Sequence, residues 1–281
     1  MKSILNTLFT GTSAAAVKKI LDLYGHQHFA IVDYLYFANI AGKKLFDLHS
    51  AEYDLSLFQN MLVQEYKQKN IEQIHTVYQD AILDADLILP DGIALQIFYF
   101  LARKKWLTNL NGTDFAPYLM QELKKIYGRQ RFRVVLYGTY PHLLAKTKIF
   151  LEDKWYQIVY AQDGYTNLDW SQVEKSLPYQ KDTINLLLVA RSTPVYPVQE
   201  IRSYANKKQI QKYNLLTVTQ AGTFDFWVGE QKRPPKIIRY VRLERLRRFI
   251  SDPKRNYKKV LDSLGLFRYI FSYLLLKKRS G

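Results

Sequence analysis

The stretch Arg133-Val134-Val135-Leu136-Tyr137-Gly138 decides the fold of this 281-residue chain. Its apolar residues follow one another without alternation, and so do those of Thr183-Ile184-Asn185-Leu186-Leu187-Leu188-Val189. Continuous apolar runs of this length indicate strands that are buried on both faces, as in a parallel sheet covered by helices. We therefore predict an α/β fold with a Rossmann-like, mostly parallel sheet.

Strand and helix patterns alternate on either side of these two runs, as a parallel sheet requires. The further strands predicted are 4–9, 29–32 with Asp33 at its end, 87–89 and 215–219. The predicted helices are one up to Gly25 with a Thr12 or Ser13 cap, 57–66, 71–83, 93–102, 114–126 with Thr113 and Asp114 as its cap, and 143–151 with Pro141 in its first turn.

Basic residues are concentrated at the end of the chain. The formal net charge is +16 at pH 7, and positions 231–281 hold 16 basic and 3 acidic residues, so the rest is nearly neutral. A basic surface over the whole molecule would indicate nucleic acid, whereas a basic segment on a neutral domain indicates one anionic partner. We predict a domain over 1–230 and a basic helical appendage over 231–281 that meets phosphate, diphosphate or anionic lipid.

The compartment follows from what the sequence lacks. The chain has no cysteine, which excludes disulfides and thiolate metal sites and is compatible with a reducing cytosol. Residues 1–6 lack the apolar core of a signal peptide, and the apolar stretch 266–276 is interrupted by Arg268 and too short to cross a bilayer. We expect a cytoplasmic protein that lies on the inner face of the cell membrane without spanning it.

The apolar run Ala85-Asp86-Leu87-Ile88-Leu89-Pro90-Asp91-Gly92 ends at a carboxylate. Pro90 cannot donate a ladder hydrogen bond, so we expect it to end the strand and to leave Asp91 where the chain exits the sheet. Catalytic groups of α/β folds lie there, although Asp-Gly is also a common turn pair. Asp84-Ala85-Asp86 resembles a metal-binding Asp-x-Asp element, but we interpret it as a helix end and a strand start, and we predict no metal site.

Two further segments have the chemistry to bind an anion. Gly138 stands at a strand end and lets backbone N–H groups approach a phosphate, in a chain without a Gly-x-Gly-x-x-Gly or Gly-Lys-Ser/Thr loop. In the appendage, arginines recur every three residues, which is either a solvated charged face or a set of cations that binds a multivalent anion. These are Arg239, Arg242, Arg245 and Arg248. Aromatic and aliphatic residues among lysines follow over 257–279 and indicate an interfacial membrane element.

These motifs stand in an order that resembles the WecG/TagA/CpsF glycosyltransferases, which act in bacterial cell-surface polysaccharide and teichoic-acid linkage-unit synthesis. The resemblance covers about residues 71–255. It rests on Ala85-Asp86-Leu87 through Pro90-Asp91-Gly92, Gly112-Thr113-Asp114, Gly138, Asp163-Gly164-Tyr165, Pro197-x-Gln199-Glu200, Gly222-Thr223-Phe224-Asp225-Phe226-x-x-Gly229, Lys232-Arg233-x-Pro235 and Asp252-Pro253-x-Arg255.

The resemblance implies a Rossmann-like domain of the GT-E type whose appendage docks on the membrane and completes the active site. It implies transfer of an N-acetylmannosamine-type sugar from UDP to a polyprenyl-diphosphate-linked acceptor with inversion, and Asp91 as the general base. The residues implied to bind the donor are Asp33, Gly92, Thr113, Asp114, Gly138, Gln199, Glu200, Gly222, Phe224 and Asp225. Those implied to bind diphosphate are Arg233, Arg239, Arg242, Arg245 and Arg248, which make a metal or other cofactor unnecessary.

The chain departs from the family pattern at several positions. Asn109 replaces an arginine three residues before Gly112, the glycine before Pro197 is absent, and Glu244-Arg245 replaces Glu-Trp. For the family's Thr-x-Asn strand end we choose Ile31-Val32-Asp33, which makes Asp33 the substitute for the asparagine. Two alternatives remain, a nucleic-acid-binding protein and an inactive family member that acts as a scaffold. A homo-oligomer is also compatible with the sequence.

Overall fold

The computed structural model of the protein describes residues 8–25, 35–41, 84–91, 93–164, 166–177, 182–190, 206–219 and 223–230. These ranges contain seven helices and six strands. In chain order they are α1 (Ser13–Gly25), β1 (Leu35–Ala41), β2 (Leu87–Asp91), α2 (Ile93–Arg103), α3 (Gly112–Arg131), β3 (Phe132–Gly138), α4 (Pro141–Asp153), β4 (Gln157–Gln162), α5 (Trp170–Ser176), β5 (Ile184–Ala190), α6 (Lys207–Lys212), β6 (Leu215–Thr219) and α7 (Thr223–Trp227).

The six strands form one sheet in the order β2-β1-β6-β5-β3-β4, and every described pairing is parallel. All residues of β3, β5 and β6 are buried, whereas β4 at the edge is half-buried. Both faces of the central strands are therefore covered. This confirms the prediction of an α/β fold with a parallel sheet.

Alternate residues of the central strands supply the two faces of the sheet. One face carries Val134, Leu136, Leu186, Leu188, Leu216 and Val218, which pack with apolar residues of α1, α3, α4 and α7 in one core. The opposite face carries Val135, Leu187 and Thr217, all buried. Right-handed crossovers place α3 and α4, which lead toward β4, on one face, and α5 and α6, which lead back toward β6, on the other.

The end of β2 differs from the prediction. Pro90 does not terminate the strand, because it pairs with Ile40, and Asp91 pairs with Ala41. Pro90 is tolerated since β2 is the outermost of the six strands, where a missing N–H breaks no ladder between two central strands. The carbonyl of Pro90 still accepts a hydrogen bond from the backbone N–H of Leu110, at 2.8 Å.

The other predicted elements have mixed outcomes. Strands β3, β5 and β6 and helices α1, α2, α3 and α4 lie where they are predicted, while β1, β4, α5, α6 and α7 were missed. From the predicted strand 4–9 the structure describes a single parallel bridge, between Leu8 and Ile88. The predicted strand 29–32, helices 57–66 and 71–83 and the appendage 231–281 lie outside the described residues. No helix in the described ranges is both long and apolar enough to cross a membrane.

Candidate functional site

The carboxyl ends of the parallel strands meet at one edge of the sheet, here called the carboxyl edge. It is formed by the last residues of β1, β2, β3, β5 and β6, with Ala41 beside Asp91 and Gly138 beside Ala190. The chain turns outward in opposite directions after β3 and β5, because β3 leads to β4 and β5 leads to β6. Open α/β sheets bind ligands in the crevice at such a switch point.

Asp91 is the last residue of β2, so its backbone lies at the carboxyl edge. This is the position that the sequence predicts for it. Gly92 and the side chain of Asp91 lie outside the described part of the chain. The hydrogen bond between Leu110 and Pro90 brings the segment before α3 against the same strand end.

Thr113 and Asp114 lie in the first turn of α3, which follows that segment. The cap is Asn111, and the prediction that Thr113 and Asp114 cap the helix is therefore wrong. Asn111 Oδ1 accepts from the Asp114 N–H at 3.0 Å, and Asn111 Nδ2 donates to Asp114 Oδ2 at 2.9 Å. This reciprocal pair is a variant of the capping box in which the Asp114 carboxylate accepts from the side-chain amide of Asn111 and not from its backbone N–H, and it holds that carboxylate against its own helix.

Gly138 ends β3 at a point where no side chain fits. Its φ is +134°, and a Cβ added to it would lie 2.1 Å from the carbonyl oxygen of Ala190. Thr139 follows with φ +56° and is 7% exposed. Its hydroxyl has no hydrogen-bond partner among the described residues. The ends of β3 and β5 thus approach each other closely, and a buried hydroxyl without a partner among the described residues directly follows β3.

The loop after β4 is held in place by Gln162. Its Oε1 accepts from the Tyr160 hydroxyl at 3.0 Å and from the Asp169 N–H at 2.8 Å, while its Nε2 donates to Thr166 Oγ1 at 2.8 Å and to the Asn167 carbonyl at 2.7 Å. We call residues 163–169 the β4 loop. The Gly164 N–H donates to the Thr139 carbonyl at 3.3 Å, which joins this loop to the end of β3.

Titration in the β4 loop follows from the same contacts. The pKa of Asp169 is lowered, first by its hydrogen bond with the Ser171 side chain and then by backbone N–H groups of Gln172 and Ser171. Burial raises the pKa of Tyr160, with a further contribution from Asp169. Both shifts favour the protonation states already present at neutral pH, a carboxylate at Asp169 and a neutral phenol at Tyr160.

Phe224 and Asp225 begin α7, which follows β6. Phe224 is 1% exposed and packs in the core, with its ring stacked on Trp227 at 5.5 Å between centroids. Asp225 is half-buried, and Thr223 is fully buried with a hydroxyl that lacks a partner within the described ranges. Phe224 therefore belongs to the core beneath the carboxyl edge, while Asp225 is partly exposed to solvent.

The described ranges contain no group of three or more His, Cys, Asp or Glu residues that could bind a metal ion. Asp84 of the Asp-x-Asp element precedes β2 and so lies at the amino end of that strand, away from Asp91. Its Oδ1 is 2.6 Å from Lys207 Nζ. The structural interpretation of this pair of carboxylates is consistent with that ion pair.

The remaining predicted site residues lie outside the described residues. They are Asp33, Gly92, Gln199, Glu200, Gly222, Arg233, Arg239, Arg242, Arg245 and Arg248. Sequence reasoning in turn missed Thr139 and Gln162, whose importance depends on contacts across strands. It also missed Asn39, which lies two residues before the end of β1 and pairs with Leu89. The sequence Phe37-Ala38-Asn39 was the available signal, since it places an asparagine in a short apolar run.

Comparison with known families identifies a family that the chain matches. The model of the glycosyl transferase WecG/TagA/CpsF family matches residues 68–280, well over half of the chain. The match extends beyond the last motif of the sequence analysis, which ends at Arg255, through the rest of the basic segment to residue 280. It confirms the resemblance inferred from those motifs, and members of this family are glycosyltransferases that use a sugar donor and a lipid-linked acceptor in cell-surface polysaccharide synthesis.

Proposed function

The chain belongs to the WecG/TagA/CpsF glycosyltransferase family, and from this membership we propose that it is an inverting hexosyltransferase. It moves an N-acetylmannosamine-type sugar, or a related hexose, from a UDP-sugar to a polyprenyl-diphosphate-linked acceptor. The observation that carries the proposal is the position of Asp91 at the carboxyl end of β2, where an open α/β sheet binds its ligands.

The reaction needs one base and one source of positive charge. The acceptor hydroxyl attacks the anomeric carbon, the bond from that carbon to the UDP oxygen breaks, and the hydroxyl proton passes to the Asp91 carboxylate. UDP leaves with its electron pair on the β-phosphate oxygen, where charge develops in the transition state. We assign Arg233, Arg239, Arg242, Arg245 and Arg248 to stabilise that charge, because guanidinium groups bind phosphate oxygens in a bidentate manner.

The donor lies along the carboxyl edge in this proposal. Support comes from the switch point between β3 and β5, where open α/β sheets bind ligands, and from Gly138, which ends β3 there without a side chain. Gly92, Thr113, Asp114, Gln199, Glu200, Gly222 and Asp225 are the further donor contacts, with Phe224 beneath them. Asp114 is engaged with Asn111 in the capping box, so it contributes to the site by ordering the first turn of α3.

The family's strand-end asparagine now has two candidates. Asp33 is the first, from the sequence. Asn39 is the second, because it lies in β1, in register with Leu89 and two residues from the pair of Ala41 with Asp91. Residues two apart in a strand are on the same face, so Asn39 shares a face with Ala41. Replacing each by alanine and measuring the Michaelis constant for the donor distinguishes them.

The appendage accounts for the location of the enzyme. Its 16 basic residues and the aromatic residues among them suit the anionic inner face of the cell membrane, where the lipid-linked acceptor resides. The protein is therefore peripheral and cytoplasmic in this proposal, without nucleic acid as a partner. A homo-oligomer is compatible with it.

Asp91→Asn tests the proposal. Loss of a general base lowers turnover by roughly 10²-fold or more with little change in donor affinity. Asp86→Asn is the matched control, because Asp86 is an exposed aspartate at the other end of the same strand. Turnover of the Asp91 variant near that of the unaltered enzyme would exclude Asp91 as the base.

A scaffold role is the second candidate, favoured by Asn109. This residue replaces the family arginine and is exposed beside Leu110, at the strand end that carries Asp91. An inactive member would still gain thermal stability from UDP-sugars without consuming them. Turnover of any UDP-sugar onto a lipid-linked acceptor would contradict the scaffold interpretation.

A further inference from the structure

We propose that Thr139 and the first turn of α4 form the subsite that binds a phosphate group of the nucleotide-sugar donor, an inference that rests on the proposed function. The subsite lies at the switch point between β3 and β5. Its parts are the Thr139 hydroxyl, the backbone N–H groups at the start of α4, and the β4 loop as its wall.

The Thr139 hydroxyl indicates a ligand. The residue is 7% exposed, and its Oγ1 has no hydrogen-bond partner among the described residues. A buried hydroxyl without a partner destabilises the folded protein, so such groups are rare unless a water, an ion or a ligand completes them. Thr139 directly follows the strand that forms one side of the crevice, so this hydroxyl is located where a ligand of the carboxyl edge would reach it.

The start of α4 lacks a side-chain cap. Tyr140 occupies the N-cap position without a capping hydrogen bond, and Pro141 at the next position has no N–H to donate. The N–H groups of His142 and Leu143 come next, at the end of a 13-residue helix whose dipole is positive there. Helix N-termini with free N–H groups bind phosphate, and here the unpaired hydroxyl precedes the helix by two residues.

The backbone around the subsite is held rigidly enough to be preformed. Gly138 allows β3 to approach Ala190 so closely that any side chain would collide. Gln162 fixes the β4 loop with three hydrogen bonds, and Tyr137 Oη donates to the Thr166 carbonyl at 2.6 Å. Gly164 joins that loop to the Thr139 carbonyl. We infer that Gln162 is a positioning residue that keeps Thr139 in place.

A phosphate group fits this set of hydrogen-bond donors better than the sugar or the nucleobase of the substrate does. Thr139 and the α4 N–H groups donate hydrogen bonds, and the helix dipole favours negative charge. The donor and the acceptor of the proposed reaction both carry a diphosphate. We assign the subsite to the diphosphate of the sugar donor, because open α/β sheets bind nucleotides at the switch point.

Thr139→Val in the full-length protein is the direct test, with Thr217→Val as its matched control. Thr217 is also fully buried and also has a hydroxyl without a partner in the described ranges, but it lies inside β6 and two residues before the edge. Neither change removes a described hydrogen bond, so the melting temperature of neither variant falls. Calorimetric titration with UDP and with uridine gives the affinities.

We expect Thr139→Val to weaken UDP binding by about tenfold, the typical effect of one hydrogen bond to a charged group. Uridine binding stays unchanged, and Thr139→Ser restores UDP binding because it retains the hydroxyl. Thr217→Val binds UDP as the unaltered protein does. In turnover assays Thr139→Val raises the Michaelis constant for the donor and not that for a lipid-diphosphate acceptor. Gln162→Leu weakens UDP binding as well. Gln162→Glu weakens it too, because a carboxylate oxygen in place of Nε2 cannot donate to the Asn167 carbonyl.

Other results would overturn the subsite. Equal UDP affinities for Thr139→Val and the unaltered protein remove Thr139 from the site, and a parallel loss of uridine binding shows a nucleoside contact instead of a phosphate contact. A raised Michaelis constant for the acceptor alone moves the phosphate to the acceptor. If the unaltered protein binds neither UDP nor any UDP-sugar, the proposed function itself fails, and this outcome is distinct from the other three.

Discussion

Replacing Gly138 by alanine will destabilise the fold much more than the same replacement at Gly128. Both glycines have positive φ, +134° and +71° respectively. At Gly128 φ is +71° with ψ 173°, a conformation that essentially only glycine adopts, so alanine costs about 1–3 kcal/mol of backbone strain there, but an added Cβ has nothing within 4 Å and meets no clash. At Gly138 the φ value is one that essentially only glycine adopts, at about 1–3 kcal/mol, and the Cβ lies 2.1 Å from the Ala190 oxygen and 2.4 Å from its carbon.

The carbonyl of Ala190 cannot yield easily, because Ala190 is paired with Gly138 at the end of the β3–β5 ladder. Relief by backbone shifts adds about 1–3 kcal/mol, so the total for Gly138→Ala is about 4 kcal/mol. Urea unfolding followed by tryptophan fluorescence measures the free energy of unfolding of both variants, and the difference between them should be about 2 kcal/mol, which is the contribution of the clash at Gly138. Equal stabilities for the two variants would refute the close approach of Gly138 to Ala190 at the carboxyl edge.

Three further predictions concern the cap, the β4 loop and the appendage. Asn111→Ala should cost about 1 kcal/mol in chemical unfolding, and Asp114→Ala in the same background should then cost little, because the two side chains cap one helix together; additive losses would contradict the capping box. Asp169 has a lowered pKa in the folded state, so its contribution to stability is present above its unfolded pKa and is lost as pH falls through the folded pKa. Asp169→Asn should therefore reduce the fall of the melting temperature at acidic pH, and an unchanged dependence of the melting temperature on pH would contradict this contribution of Asp169. Truncation from Pro235 onward should leave a folded domain that has lost both turnover and salt-sensitive liposome binding, whereas full turnover of a water-soluble acceptor analogue would show that the appendage is an anchor only.

The sequence was sufficient where a strand is buried on both faces. In β3 and β5 every residue is buried, so the apolar run is continuous and easily recognised. Strand β4 is half-buried along its length, and Gln157-Ile158-Val159-Tyr160-Ala161-Gln162 mixes polar and apolar residues to suit an edge position. Strand β1 was missed because the run at 29–32 is the more apolar of two adjacent segments. Only pairing with β2 and β6 shows that residues 35–41 belong to the sheet.

The candidate site divides in a similar way. Asp91 could be predicted because the position of a carboxylate after an apolar run is a local property of the sequence. Thr139 could not, because its importance depends on the absence of a partner for its hydroxyl, and that is decided by every residue packed around it. Asp114 was assigned to the donor from its motif, yet its described hydrogen bonds join it to Asn111. A motif thus indicates where a residue lies in the fold, while its hydrogen bonds show what its side chain does there.

Within the described part of the chain, three buried threonines have hydroxyls without a hydrogen-bond partner, and comparing them distinguishes functional from structural causes of an unsatisfied polar group. Thr139 and Thr223 lie just beyond the carboxyl ends of β3 and β6, and Thr217 lies within β6. An unpaired hydroxyl destabilises the folded state wherever it is buried, so valine should be tolerated equally well at positions 139 and 217 if stability alone is at stake. Proteins retain such a cost chiefly at functional sites. A loss of UDP affinity that is confined to the edge position would therefore show that the hydroxyl is kept for a ligand.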